Sequence, residues 1–282
     1  MSELQIKKSD MNKSNINRPR VVVLSGYGLN CEEETKYAFI KSGGDVDIVH
    51  INDLIAGKTL LKNYQIMAIP GGFSFGDDTG SGNAYANRMR NHLWHMITEF
   101  IEEDKLIIGI CNGFQILVNL GLLPALDNKY GERQVALAHN DSARYIDRWI
   151  DLKFEGSSPW TKGIDLISMP IAHGEGKFFA SDSVITQIEE KKLVAARYVN
   201  GEMCKYANLN ANPNGALHDI AAITDVSGKI LGMMPHPERA IDFTQRPDWT
   251  LIKEQHKREG KLVPIHASGI KIFENGIKHF LQ

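Results

Sequence analysis

In the first hundred or so residues, apolar positions fall into short unbroken runs separated by longer stretches with helical spacing. Arg20-Val-Val-Val-Leu-Ser25 is one such run, and Asp45-Val-Asp-Ile-Val-His-Ile51, Gln65-Ile-Met-Ala-Ile-Pro-Gly-Gly72 and Lys105-Leu-Ile-Ile-Gly-Ile110 follow. Runs of this length rich in Val and Ile read as buried strands. Between them, Cys31–Lys41, Leu54–Leu61 and Asn83–Glu103 read as helices, with Asn30 and Glu33 at capping-box spacing. The alternation predicts an α/β fold, an open, mostly parallel central sheet with helices on both faces. Functional loops in such sheets gather at the carboxyl ends of strands, so the Pro70-Gly-Gly72 turn and Cys111 are expected to be neighbours.

The second half reads differently. Tyr145–Phe154, Leu193–Val199, Asp219–Thr224 and Lys229–Met234 suggest strands that extend or flank the sheet, the last two joined by the hairpin signal Asp225-Val-Ser-Gly228. Helices are expected over Trp249–Arg258 and Ser268–Leu281. There is no internal repeat and no linker. The polar start predicts a flexible N-terminal tail over 1–19, and 20–282 then form one domain.

Composition narrows the function classes. The chain has 282 residues and a formal net charge of -2, with both signs interspersed, so nothing marks it for nucleic acid or an anionic membrane. The three cysteines, Cys31, Cys111 and Cys204, are widely spaced without a C-x-x-C pair, which speaks against a disulfide framework or thiolate zinc site and fits a cytoplasmic protein. No signal peptide or membrane span is recognisable.

The chemistry is concentrated at Ile110-Cys-Asn-Gly-Phe-Gln115. An apolar strand runs into a helix with Cys111 at the junction and Gly109 and Gly113 at minus two and plus two, the pattern of a nucleophile elbow. Unpaired N–H groups at a helix start favour a thiolate, and the N–H of Asn112 points where an oxyanion would form. A buried structural cysteine is the competing reading. Met234-Pro-His-Pro-Glu-Arg239 offers His236 as base and Glu238 as its orienting carboxylate if the segment is extended, since residues two apart then face the same way. A strand end with a surface Glu238–Arg239 ion pair is the alternative.

These residues resemble the class I glutamine amidotransferases. Pro70-Gly-Gly-Phe-Ser-Phe-Gly-Asp77, Ile171-Ala-His-Gly-Glu-Gly-Lys-Phe178, Ala207-Asn-Leu-Asn-Ala-Asn-Pro-Asn-Gly215 and Met234-Pro-His-Pro-Glu-Arg239 narrow the likeness to the glutaminase subunits of phosphoribosylformylglycinamidine synthases, of purine biosynthesis. One departure is Asp77-Asp-Thr-Gly-Ser-Gly-Asn-Ala84, where many stand-alone subunits carry an arginine and this chain looks closer to the fused synthases. The resemblance implies hydrolysis of L-glutamine through a thioester on Cys111, with an oxyanion hole at Gly72 and Asn112 and substrate contacts from Gly71, Phe73, Gln115, His173 and Glu175, the last toward the α-ammonium group. It implies no metal or cofactor in this chain, ATP and magnesium on a large synthase subunit, and room for a small third subunit.

Other signals are weaker. Gly174-Glu-Gly-Lys177 lacks the rest of a phosphate loop, and His92 with His95 lacks the glutamate of a zinc protease motif. Cys31 shares the helix-start argument but no base motif adjoins it, so it reads as structural. A different hydrolase on the same elbow, or a regulatory binder that keeps the fold, are the competing functions.

Overall fold

The unbroken apolar runs form the interior strands. The protein is described by a computed structural model over residues 18–156 and 158–281. Its first half runs β1 (Arg20–Ser25), α1 (Glu32–Lys41), β2 (Asp45–His50), α2 (Ile51–Ile55), β3 (Ile66–Ile69), α3 (Asn83–Glu102), β4 (Leu106–Ile110) and α4 (Asn112–Leu120). The second half runs β5 (Ala136–His139), β6 (Ile146–Phe154), β7 (Leu166–His173), β8 (Glu175–Phe179), α5 (Asp182–Glu190), β9 (Val194–Val199), α6 (Glu202–Tyr206), β10 (Ile220–Thr224), β11 (Ile230–Met233), α7 (Trp249–Arg258) and α8 (Ile270–Lys278). The expected tail lies mostly outside the described residues; Pro19, at its end, is buried and accepts the Asp45 N–H at 3.0 Å. Among the described residues no helix is long and apolar enough to cross a membrane.

Nine strands form one sheet in the order β2-β1-β3-β4-β11-β10-β9-β6-β7, and β5 pairs with β8 in a separate ribbon. Strands β2, β1, β3, β4 and β11 are mutually parallel, and β10, β9, β6 and β7 continue the sheet antiparallel. Every residue of β3, β4, β10 and β11 is buried, as continuous apolar runs require in the middle of a covered sheet. Helix α1 packs with α8, where Phe39 and Phe273 meet edge to face at 4.9 Å, while α2 and α4 each pack with α3.

Two local expectations change. The helix expected over Leu54–Leu61 is instead α2, which stops early because Gly57 adopts φ +69° and its N–H turns back to the Leu54 carbonyl at 3.0 Å. No capping box forms at Asn30. The helix cap is Cys31, without a side-chain cap bond, and the Asn30 N–H goes to the Gly71 carbonyl.

Register then sets the site. Ile110 lies opposite Met233 and Gly109 opposite Ile69, so the carboxyl ends of β3, β4 and β11 stand side by side. They deliver Gly71, Cys111 and His236 respectively.

Candidate active site

Cys111 sits between β4 and α4 at φ 52°, ψ -107°. An L-residue takes such a backbone only under constraint. The constraint is close packing of strand, turn and helix: a Cβ on Gly109 would stand 2.6 Å from the Gly113 carbonyl oxygen, and one on Gly113 would run into the Ile69 carbonyl. The glycines therefore let α4 approach the sheet closely enough to present Cys111 at the bend. Its Sγ is buried and, among the described residues, has one distant acceptor, the Ala172 carbonyl at 3.7 Å.

His236 and Glu238 are 1% exposed, and Nδ1 of the ring lies 2.5 Å from Glu238 Oε1. The pairing was legible in the sequence, although the geometry differs from the extended segment expected. His236 has φ -102°, ψ 88°, and Glu238 lies in the single turn Pro237–Arg239 that follows. Burial alone would push the His236 pKa down, but the Glu238 carboxylate and the neighbouring Cys111 and Cys31 thiols hold it well above the usual value. Nε2 has no hydrogen-bond partner among the described residues and is the nitrogen left for Cys111. Glu238 is buried rather than a surface residue; Arg239 Nε lies 4.0 Å from its Oε1, and the same guanidinium donates to Cys31 Sγ at 3.0 Å.

Cys31 thus belongs to the site, where sequence reasoning left it structural. A Cβ on Gly71 would lie 2.9 Å from His236 Cε1, 3.2 Å from Cys31 Sγ and 3.5 Å from Cys111 Cβ, so three reactive side chains surround one missing methyl. The only sequence hint was the helix start at Cys31, which says nothing of what stands across from it.

The turn after β3 is fastened from one side. Gly71 O accepts the N–H groups of Asn30 at 3.0 Å and Cys31 at 3.1 Å, and the Phe73 N–H reaches Gly28 O at 2.9 Å. Leu29 and Gly72 form the non-hydrogen-bonded pair between those bonds, which turns the Gly72 N–H away from the 28–30 segment. Because β3 lies between β1 and β4, the opposite side is that of Cys111. The N–H of Asn112, at the start of α4, has no backbone acceptor among the described residues. Gly72 has φ +154° and its Cβ would meet the Gly28 carbonyl at 2.5 Å, so only glycine fits.

A cavity of about 490 Å³ opens beside these groups, with Phe73, Asp77, Arg144, Tyr145, Gly174 and Glu175 in its wall. The Phe73 and Tyr145 rings approach to 6.1 Å at its rim. Below it, Asn112 Nδ2 donates to Gln115 Oε1 at 2.8 Å and Gln115 Nε2 donates to the Glu175 carbonyl at 2.5 Å. The Asp77 carboxyl is pushed up by burial and by the nearby Glu175 charge, against hydrogen bonds from Ser81 and Asn112.

A family model of the CobB/CobQ-like glutamine amidotransferase domain matches residues 18–280. The phosphoribosylformylglycinamidine synthase subunit PurQ of Methanococcus maripaludis is 49% identical over 266 residues, covering 93% of this chain and 97% of that one. The protein of the same name from Dehalococcoides mccartyi is 41% identical over 265 residues, covering 93% and 98%. The chain belongs to the PurQ family of glutamine amidotransferases. Among solved structures, PurLQS from Thermotoga maritima matches with a TM-score of 0.69 and 29% identity, over 93% of this chain and 99% of that chain.

Within this amidotransferase, the residues singled out from sequence fall into two groups. Cys111, His236, Glu238, Gly71, Gly72 and Asn112 converge at the strand ends. Phe73 and Glu175 line the adjacent cavity, and Gln115 braces it from beneath. His173 lines neither but lies close to the first group: it is buried, its Nδ1 lies 3.1 Å from Asn140 Oδ1, and burial, with the nearby His236 charge, lowers its pKa to about 3. Sequence reasoning did not single out Arg144 and Tyr145, which share the cavity wall.

Proposed function

We propose that this chain is the glutaminase of a phosphoribosylformylglycinamidine synthase: it hydrolyses L-glutamine and supplies the ammonia with which a synthase subunit converts formylglycinamide ribonucleotide to formylglycinamidine ribonucleotide at the expense of ATP. The observation that carries it is a strained Cys111 beside the unpartnered Nε2 of a buried His236 whose other nitrogen is held by Glu238. Cys111 attacks the carboxamide carbon of glutamine as a thiolate, with its proton on His236. The resulting oxyanion accepts from the Gly72 and Asn112 N–H groups, and each such donor contributes about 10²- to 10³-fold in rate. Collapse breaks the C–N bond as the amide nitrogen takes the His236 proton and leaves as neutral ammonia, and a γ-glutamyl thioester remains. Water, deprotonated by the same imidazole, then releases glutamate. Glu238 keeps the ring oriented and its positive charge compensated through both halves.

The released ammonia must reach a second site, because in bulk water at neutral pH it would be protonated and no longer nucleophilic. A docked large subunit that holds ATP and magnesium, joined by a small third subunit, fits that need, with the assembly in the cytoplasm. In this reading residues 20–282 act as one amidotransferase domain. The test is mass spectrometry after exposure to a glutamine-mimicking diazoketone, alone and with the synthase subunit. A Cys111 adduct, blocked by L-glutamine and lost in His236→Ala, is expected. An unmodified Cys111 under both conditions sinks the reading.

A further inference from the structure

Glutamine carries a positive and a negative group on its α-carbon, and a selective pocket must meet both. In the cavity wall, Asp77 and Glu175 supply negative charge and Arg144 supplies positive charge. The acidic side is partly engaged: Glu175 accepts the Ser81 N–H at 3.3 Å and faces His139 at 3.4 Å. Neighbouring arginines are committed, Arg148 to the Asn210 carbonyl and Arg239 to Cys31. Arg144 differs from them. Among the described residues its bonds are those of its backbone, the N–H to Ser142 Oγ and the carbonyl from Asn140 Nδ2, and its guanidinium has no acceptor.

The turn that carries Arg144 is rigidly held. Asn140, 2% exposed, donates from Nδ2 to the Arg144 carbonyl at 2.9 Å and to the His173 carbonyl at 2.8 Å. Two carbonyl acceptors fix which end of the amide is nitrogen, so Oδ1 faces the His173 ring and Nδ1 of that ring bears the proton. The Asn140 N–H reaches Gly174 O at 2.9 Å, which ties the turn to the strand end that bears Glu175. An unpaired guanidinium on a turn anchored by a buried amide, facing a cavity with carboxylates in its wall, is a site prepared for an anion.

Resting on the glutaminase reading above, we propose that Arg144 binds the α-carboxylate of the glutamine substrate while Glu175 and Asp77 receive its α-ammonium, and that Asn140 is the residue that positions Arg144. The planar guanidinium can hold a carboxylate through two parallel hydrogen bonds. Such a contact selects free glutamine and rejects glutaminyl residues within a chain, whose α-carboxyl is an amide.

The experiment compares kcat/KM for L-glutamine and for L-glutaminamide, which lacks only the negative charge, with the full chain in complex with its synthase subunit. The unaltered protein is expected to prefer glutamine by about 10- to 100-fold, the range of a charge-assisted bidentate contact. Arg144→Gln is expected to lower the value for glutamine alone and erase that preference; Arg144→Lys keeps part of it, and Asn140→Ala loses part of it. If Arg144→Gln lowers both substrates equally, Arg144 is structural, and if it changes neither, it is outside the subsite; either result overturns the proposal. Failure of the unaltered complex to hydrolyse either compound overturns the glutaminase reading itself.

Discussion

Cys31 and Cys111 occupy matching places. Each is buried, each caps a helix that follows a parallel strand and its turn, and each lies beside Gly71 and His236. Yet their surroundings are opposite. Cys31 has an ordinary backbone at φ -106°, three glutamates in the turn that follows, and a sulfur held by Arg239. Cys111 stands at φ 52° with no acidic residue after it and a sulfur left almost unheld. A helix start is therefore too common a feature to define a nucleophile; the bent backbone and the free sulfur define it.

The sharpest way to break that contrast is to exchange roles. Cys111→Ala is expected to lower glutamine hydrolysis by at least about 10⁴-fold, whereas Cys31→Ala should cost no more than about tenfold because no bond to substrate forms there. A comparable collapse in the Cys31 variant, measured in the complex with folding checked by circular dichroism, would make the two thiols partners.

The bend can be attacked directly. Gly113→Ala forces a methyl against the Ile69 carbonyl and is expected to destabilise the fold by about 3 kcal/mol or more, seen as a fall in unfolding midpoint or loss of soluble protein. No glycine in the turn before Cys31 supports a bend of that cysteine's own backbone.

Charge gives the next test. Glu238→Gln keeps the shape but removes the carboxylate that opposes burial at His236. Hydrolysis is expected to fall by about 10³- to 10⁴-fold, and the alkaline limb of the kcat/KM profile to move toward lower pH as the imidazolium loses its partner. An unmoved limb would assign the raised pKa to the thiols.

The smallest effect separates the active imidazole from the silent one. Burial lowers the His173 pKa from 6.5 to about 3, so between those values the unfolded chain binds a proton that the folded chain does not. Stability should therefore fall as pH drops through that window, by about 2 kcal/mol at pH 5 from this group. His173→Asn should flatten that part of the denaturation-versus-pH curve; an unchanged slope would mean that other groups produce it.

Sequence made the parallel half and the Cys111 bend readable because both depend on local pattern: unbroken Val and Ile runs, and glycines spaced around one cysteine. It paired His236 with Glu238 correctly but through the wrong conformation, because a single helical turn after Pro237 brings the two together as well as a strand would. Strand β7 escaped notice. It contains Pro170, which argues against a central strand, and it is tolerated because β7 is the last strand of its sheet. The place of Cys31 beside His236 and of Arg144 in the cavity wall was illegible for a different reason. What each faces is contributed by segments far away in the chain, and no spacing rule reports that.

Strand β11 has one further consequence. It lies between β4 and β10, so it joins the parallel half of the sheet to the antiparallel half, and the histidine follows it directly. During synthesis on the ribosome, both halves emerge before the strand that unites them. The nucleophile is thus made early and stays without its base until the sheet is closed, so a nascent chain that still lacks β11 and His236 has no means of consuming the cell's glutamine.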